Sequence, residues 1–235
     1  MTASAADSVC RVMVFARAPT PGEAKTRLIP ALGEAGAAAL HRRLVTHCLR
    51  AARESRLGPV ELWCAPGTGD PFFLECERRL GASLHPQGEG DLGARMQRAF
   101  ESALARARRA ILVGSDIPAL SARYLRDADQ ALRRGDDAAI GPAEDGGYAL
   151  IGLSRCDPEL FRDIPWGGPQ VLAETRRRIA ALSWRSSELP VLWDVDRPED
   201  LERLPEEMRE GFMLAAGGNG DRNGSGTPRN RGDLW

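Results

Sequence analysis

Ala110-Ile111-Leu112-Val113-Gly114-Ser115-Asp116-Ile117-Pro118 is the stretch on which the fold turns. Its first five residues form an unbroken apolar run, which reads as a buried strand, and an acid held by a nearby proline follows at once. An amphipathic helix is expected before it, over Leu92 to Arg108, and another after it, from Ser121 to Arg134 with Ser121 as N-cap. Helix, strand, helix around an apolar centre is the rhythm of an α/β chain.

The same rhythm runs outward in both directions. Towards the N-terminus, Val9 to Ala16 reads as a strand that enters the Pro/Gly-rich loop Ala18 to Gly22. Apolar residues at Ala37, Leu40, Leu44, Cys48 and Ala52 then mark a helix over Glu34 to Arg56. Val60 to Cys64 reads as a strand and Phe72 to Leu80 as a helix. Towards the C-terminus come short strands at Ala138 to Gly141 and Tyr148 to Leu153, joined by an Asp145-Gly146-Gly147 turn. A helix from Gln170 to Leu182, a strand from Leu189 to Val195 and a helix opened by Pro198 complete the series. Alternation of this kind predicts a mostly parallel sheet covered on both faces, with one antiparallel insertion at the hairpin.

Composition bounds the function. Lys and Arg number 32 against 33 Asp and Glu, so the net charge of −1 provides no general attraction to nucleic acid or an anionic membrane. Any bound anion must be held locally. The five cysteines show no metal-ligand spacing and read as reduced and mostly buried, and neither a signal peptide nor a membrane span is visible, which makes the cytoplasm the expected location. Residues 1–8 read as a flexible start, 9–215 as one domain, and 216–235, rich in Gly, Asn, Arg and Asp, as a disordered tail.

In open α/β sheets ligands collect beyond the carboxyl ends of the strands, so the polar residues stationed there are the candidates. Arg17, Gly22, Lys25 and Arg27 surround the first such loop, combining backbone donors with a point charge and guanidinium forks suited to phosphate. A solvated basic loop is the competing reading. Asp116 follows the central strand and suits Mg²⁺ or Mn²⁺, although an acid there also serves as a turn former. Asp194 and Asp196 stand two apart near the chain's far end, where Asp196 either binds metal or caps the helix opened by Pro198. Asp145 and Tyr148 frame a turn that also lines the site, and Gly93 and Arg95 open a helix where an anion could rest. Trp166 suits either sugar stacking or packing, whereas His41, His47 and His85 read as isolated structural residues.

Taken in order, five segments resemble the nucleotide-diphospho-sugar transferases of GT-A type: Pro19 to Leu28, Gly90 to Met96, Gly114 to Pro118, Asp145 to Tyr148 and Asp194 to Leu201. The chain is most similar to the bacterial radical-SAM/selenodomain-associated transferases, often called arsenosugar-biosynthesis glycosyltransferases. The likeness spans about Val12 to Leu204. It implies a GT-A or Rossmann-like three-layer sandwich, Lys25 and Arg27 on phosphate, and a Mg²⁺ or Mn²⁺ ion held by Asp116 and completed by Asp196. Arg17, Gly22, Gly93 and Arg95 join the nucleotide site, and Lys25 and Asp145 the catalytic step. The implied partners are a nucleotide or nucleotide sugar and a small acceptor.

One departure stands out. Typical GT-A enzymes carry Asp-x-Asp after the middle strand, whereas this chain has Ser115-Asp116-Ile117, closer to small nucleotidyltransferases such as the molybdenum-cofactor and phospholactate guanylyltransferases. Glycosyl transfer from a nucleotide sugar, nucleotidyl transfer with release of pyrophosphate, and nucleotide binding without catalysis all remain open at this point.

Overall fold

A computed structural model describes residues 10–209. The segments expected to be flexible or disordered, 1–8 and 216–235, lie outside them. Seven strands, β1 (Cys10–Arg17), β2 (Val60–Ala65), β3 (Ser83–Pro86), β4 (Arg109–Gly114), β5 (Ala138–Pro142), β6 (Tyr148–Leu153) and β7 (Ser186–Glu188), form one sheet in the order β3-β2-β1-β4-β6-β5-β7. The run β3-β2-β1-β4 is parallel, and β5 pairs parallel with β7. Only β6 is reversed, antiparallel to both β4 and β5, as the Asp-Gly hairpin signal anticipated. The α/β class and the mixed, mostly parallel sheet are therefore as expected.

Helices α1 (Ile29–Ser55), α2 (Pro71–Leu80), α3 (Leu92–Leu104), α4 (Ala122–Arg133), α5 (Val171–Ala181) and the short α6 (Glu206–Arg209) surround the sheet. Strand alternation assigns the two faces: Val12, Val14 and Ala16 of β1 pack into a core with Val45 and Leu49 of α1 and Leu125 of α4. Met13 and Phe15 point the other way, among Met96 and Phe100 of α3 and Leu172 and Ile179 of α5. Gly33, at φ 68°, kinks α1 just before the helix read from Glu34 onward. Ser121 caps α4 as expected, its hydroxyl accepting from the Tyr124 N–H at 3.2 Å.

A third apolar cluster matters most for the site. Leu28, Leu32, Leu40 and Leu44 bury Val195 and Leu204, which draws the C-terminal segment back across the molecule to the loop after β1. Full burial of a side chain such as Val195 contributes about 1.5–3 kcal/mol, enough to hold a segment without a ladder.

One strand expectation and one helix expectation are corrected. The run Leu189 to Val195 is not a strand: the Leu189 N–H closes the β5–β7 ladder on the Ile140 carbonyl at 2.8 Å, Pro190, lacking an N–H, interrupts it, and beyond that the described residues show an isolated bridge between Ala143 and Leu192. The edge strand is instead the polar β7 just before it, and β3 at the other edge has too little apolar patterning to show in sequence. The helix opened by Pro198 is a 3-10 helix over Pro198–Arg203. Among the described residues no helix is long and apolar enough to cross a membrane.

Candidate functional site at the carboxyl edge of the sheet

Three segments far apart in sequence meet beyond the ends of β1 and β4. The loop after β1 turns at Gly22 (φ 83°) and again at Lys25, whose φ of 51° places a non-glycine residue in the left-handed region. Such a conformation costs roughly 1–2 kcal/mol and persists only when surroundings impose it. Here they do: the Lys25 ammonium reaches the Asp116 carboxylate at 2.9 Å and donates to the Val195 carbonyl, with its side chain only 5% exposed. The Val195 N–H in turn donates to the Asp116 carbonyl at 3.0 Å. One lysine thus joins the first loop, the end of β4 and the C-terminal segment.

Asp116 is the centre of this arrangement. Burial alone would raise its pKa, but the Lys25 charge, with His41 adding to it, outweighs that and holds the carboxyl well below the usual range. Its Oδ2 faces Lys25, while Oδ1 is buried and accepts no hydrogen bond. His41, on α1 and 5% exposed, brings Nδ1 to 3.5 Å from that Oδ1 and Nε2 to 3.0 Å from the Arg17 carbonyl. Sequence offered no signal for His41, which sits in an ordinary amphipathic helix.

Arg27 is 68% exposed and pairs with Asp196 on the rim. Asp196 does not cap the following 3-10 helix. Asp200 reaches back instead, accepting from the Asp196 N–H at 3.0 Å and the Arg197 N–H at 2.8 Å, which leaves the Asp196 carboxylate facing Arg27. The pKa of Asp194 is raised, first by burial and then by the charge of Asp145, with Asp116 adding to it and Lys25 opposing it. A bidentate Glu144–Arg203 pair, at 2.8 Å for both contacts, ties the hairpin turn to the C-terminal segment, and the Arg203 guanidinium lies 4.3 Å over Trp193.

Asp145 is exposed and accepts from the Gly147 N–H at 2.8 Å, so it does form the turn read from sequence. The neighbouring glycines serve packing: a Cβ on Gly146 (φ 88°) would lie 2.3 Å from the Pro169 carbonyl. At Gly93 a Cβ would lie 2.6 Å from the Phe161 carbonyl and 2.7 Å from the Trp166 ring nitrogen. The close approach that these two glycines permit is to the Trp166 loop. Arg95 folds back on the Gly90 carbonyl at 2.9 Å, and Arg17 contributes its carbonyl to His41 while its side chain stays exposed. Tyr148 meets Trp166 edge-on at 6.5 Å.

No group of three or more His, Cys, Asp or Glu among the described residues forms a ready-made metal cage. The donors nevertheless fit a hard divalent cation of the kind that takes one or two carboxylates and completes its shell with water and substrate phosphate. The orphaned, buried Oδ1 of Asp116 is the observation that supports this. All five cysteines are unpaired and four are buried; burial pushes the Cys48 and Cys64 thiols up to about 12, which makes them poor nucleophiles.

This fold is that of nucleotide-sugar-related transferases. A "putative nucleotide-diphospho-sugar transferase" from Desulfovibrio desulfuricans G20 matches with 30% identity and a TM-score of 0.75, over 89% of this chain and 94% of that one. CMP:2-keto-3-deoxy-manno-octonic acid synthetase, in complex with CTP, matches with 15% identity and a TM-score of 0.52, over 89% and 99%. Rv0371c from Mycobacterium tuberculosis H37Rv, in complex with manganese, matches with 17% identity and a TM-score of 0.50, over 84% and 97%. The chain belongs to the DUF2064 family, described as uncharacterized proteins conserved in bacteria, which it matches over residues 48–168. A comparison with curated proteins matched none.

Proposed function

We propose that this chain is a metal-dependent glycosyltransferase that takes a nucleotide-diphosphate sugar as donor and a small molecule as acceptor. The observation that carries the reading is the convergence of Lys25, Asp116 and the Val195–Asp196 segment beyond the carboxyl ends of β1 and β4, the place where open α/β sheets bind ligands. The motifs that bring these residues there also support a place among the radical-SAM/selenodomain-associated transferases. The unpaired thiols support a cytoplasmic setting.

Each residue then has a task. Asp116 and Asp196 hold Mg²⁺ or Mn²⁺, which supplies positive charge to the phosphates of the leaving nucleotide. The Lys25 ammonium has three donors, two of them engaged with Asp116 and the Val195 carbonyl, and the third is offered to a phosphate oxygen. Arg27 exchanges Asp196 for phosphate when the donor arrives, with Arg17, Gly22 and Arg95 lining the nucleotide side. Asp145, at the tip of the hairpin, faces the acceptor. A nucleotide sugar and manganese should raise the melting temperature together more than either alone, and turnover should release nucleoside diphosphate.

Nucleotidyl transfer is the second reading, favoured by Ser115, which is buried and leaves Asp116 as the sole acid directly following β4. Product analysis separates the two. Release of pyrophosphate from a nucleoside triphosphate, with none of the nucleotide sugars consumed, would replace the first reading by the second.

A further inference from the structure

The geometry around His41 points to an additional ligand of the cation, one that tunes its choice. We propose that His41 Nδ1 binds the same ion as Asp116 Oδ1 and makes the site prefer Mn²⁺ to Mg²⁺; this rests on the metal-dependent reading above. The starting point is the ring's tautomer. A backbone carbonyl only accepts, so the Nε2 that lies 3.0 Å from the Arg17 carbonyl carries the hydrogen. In the neutral ring that leaves Nδ1 as a lone pair, and it is aimed at Asp116 Oδ1, another lone-pair atom.

Both atoms are buried and neither has a hydrogen-bond partner, although they stand 3.5 Å apart. Two bare acceptors facing each other in a dry place repel, and an electrophile shared between them relieves this: a proton on Nδ1, with which His41 favours the charged carboxylate, or a metal cation that takes the proton's place. Ligands each about 2.1 Å from one ion and 90–110° apart lie about 3–3.5 Å from each other, which is the separation seen here. A histidine that donates one ring N–H to a backbone carbonyl and offers the other nitrogen is also the usual state of a metal-ligating imidazole. Asp116 Oδ2 is kept for Lys25, so the two oxygens of the carboxylate have separate duties.

An imidazole ligand has a consequence for the metal. Mg²⁺ takes oxygen ligands and keeps its waters, whereas nitrogen ligation favours first-row transition ions. The site would therefore accept Mg²⁺ through oxygen alone and gain affinity for Mn²⁺ through the ring.

The test uses the full chain with Mn²⁺ alone, so that no nucleotide base supplies a nitrogen. Electron spin-echo spectra should show modulation from a directly bound ¹⁴N, and growth with ¹⁵N-labelled histidine should change it to the ¹⁵N pattern. His41→Gln keeps a donor for the Arg17 carbonyl and withdraws the group that faces Asp116. It should lose the modulation and bind Mn²⁺ at least roughly tenfold more weakly, with Mg²⁺ affinity and melting temperature nearly unchanged. Mn²⁺ bound with no nitrogen coupling would overturn the His41 proposal and leave the carboxylate site standing. If neither Mn²⁺ nor Mg²⁺ binds, with or without nucleoside diphosphate, both readings fall. Because the labelled wild-type spectrum decides ligation by itself, a His41→Gln chain that failed to fold would not shelter the proposal.

Discussion

Two carboxylates in this molecule face opposite fates. Glu61, on β2, is fully buried and paired at both oxygens: Oε1 takes Arg11 at 2.6 Å and Arg106 at 3.1 Å, while Oε2 accepts the Trp63 indole N–H at 3.0 Å. Asp116, beyond β4, is 38% exposed at its side chain, and one of its oxygens has no hydrogen-bond partner. A buried carboxylate with both oxygens held by protein donors serves to hold the fold together. One left half-paired at the carboxyl edge of a sheet keeps its capacity for something not yet bound. The unpaired oxygen of Asp116 is what sets it apart from Glu61 as a candidate ligand.

The sharpest way to break this contrast is to make the same isosteric change at both places. Glu61→Gln should destabilise the fold by about 3 kcal/mol, near the lower end for breaking a buried pair, because an amide nitrogen would now confront Arg11, Arg106 or the Trp63 N–H. That corresponds to a melting temperature lower by about 6–12 °C for a domain of this size, with nucleotide affinity of the folded fraction unchanged. Thermal unfolding and titration calorimetry measure the two effects. Loss of nucleotide binding with intact stability would place Glu61 in the site after all.

Asp116→Asn should show the reverse: a smaller thermal shift, since the amide oxygen can still accept from Lys25, but metal-dependent nucleotide affinity reduced at least tenfold, about 1.4 kcal/mol. Unaltered metal affinity in the folded variant would remove Asp116 from the site.

Acid titration sharpens the same point. The folded Asp116 carboxyl binds its proton less readily than the unfolded one, so its contribution is full above the unfolded value of about 3.9 and fades as pH falls through the lower folded value. The stability of the Asp116→Asn variant, measured by denaturant unfolding, should therefore fall less steeply below about pH 4 than that of the wild type. Parallel curves would show that Lys25 and His41 do not favour the charged form.

The smallest effect belongs to the rim. Arg27→Lys retains a charge beside Asp196 but cannot offer a two-pronged contact, and it should weaken nucleoside diphosphate by about 1.5 kcal/mol while leaving the bare nucleoside alone. Equal changes for both ligands, or none, would reduce Arg27 to a surface ion pair.

Local patterning determined most of the framework. The apolar runs of β1, β2 and β4, the 3.6-residue spacing of α1 and α4, the Ser121 cap and the Asp-Gly turn are each dictated by neighbours a few residues away, and their signals are therefore written locally. The edges were not legible: β3 and β7 are short, carry mixed or polar residues, and exist because a neighbouring strand offers unpaired backbone. Lys25, Asp116 and Asp196 could be nominated from their motifs, but not the contacts between them. Val195 had to be buried against Leu28, Leu40 and Leu44 before the far end of the chain could meet the first loop. Tertiary packing alone turned the Asp196 carboxylate away from a cap and towards Arg27, turned Gly93 and Gly146 towards the Trp166 loop, and aimed the ring of His41 at Asp116. Sequence periodicity records which face of an element is apolar; which polar atoms remain unpaired depends on every segment that arrives from elsewhere, and only the folded chain decides it.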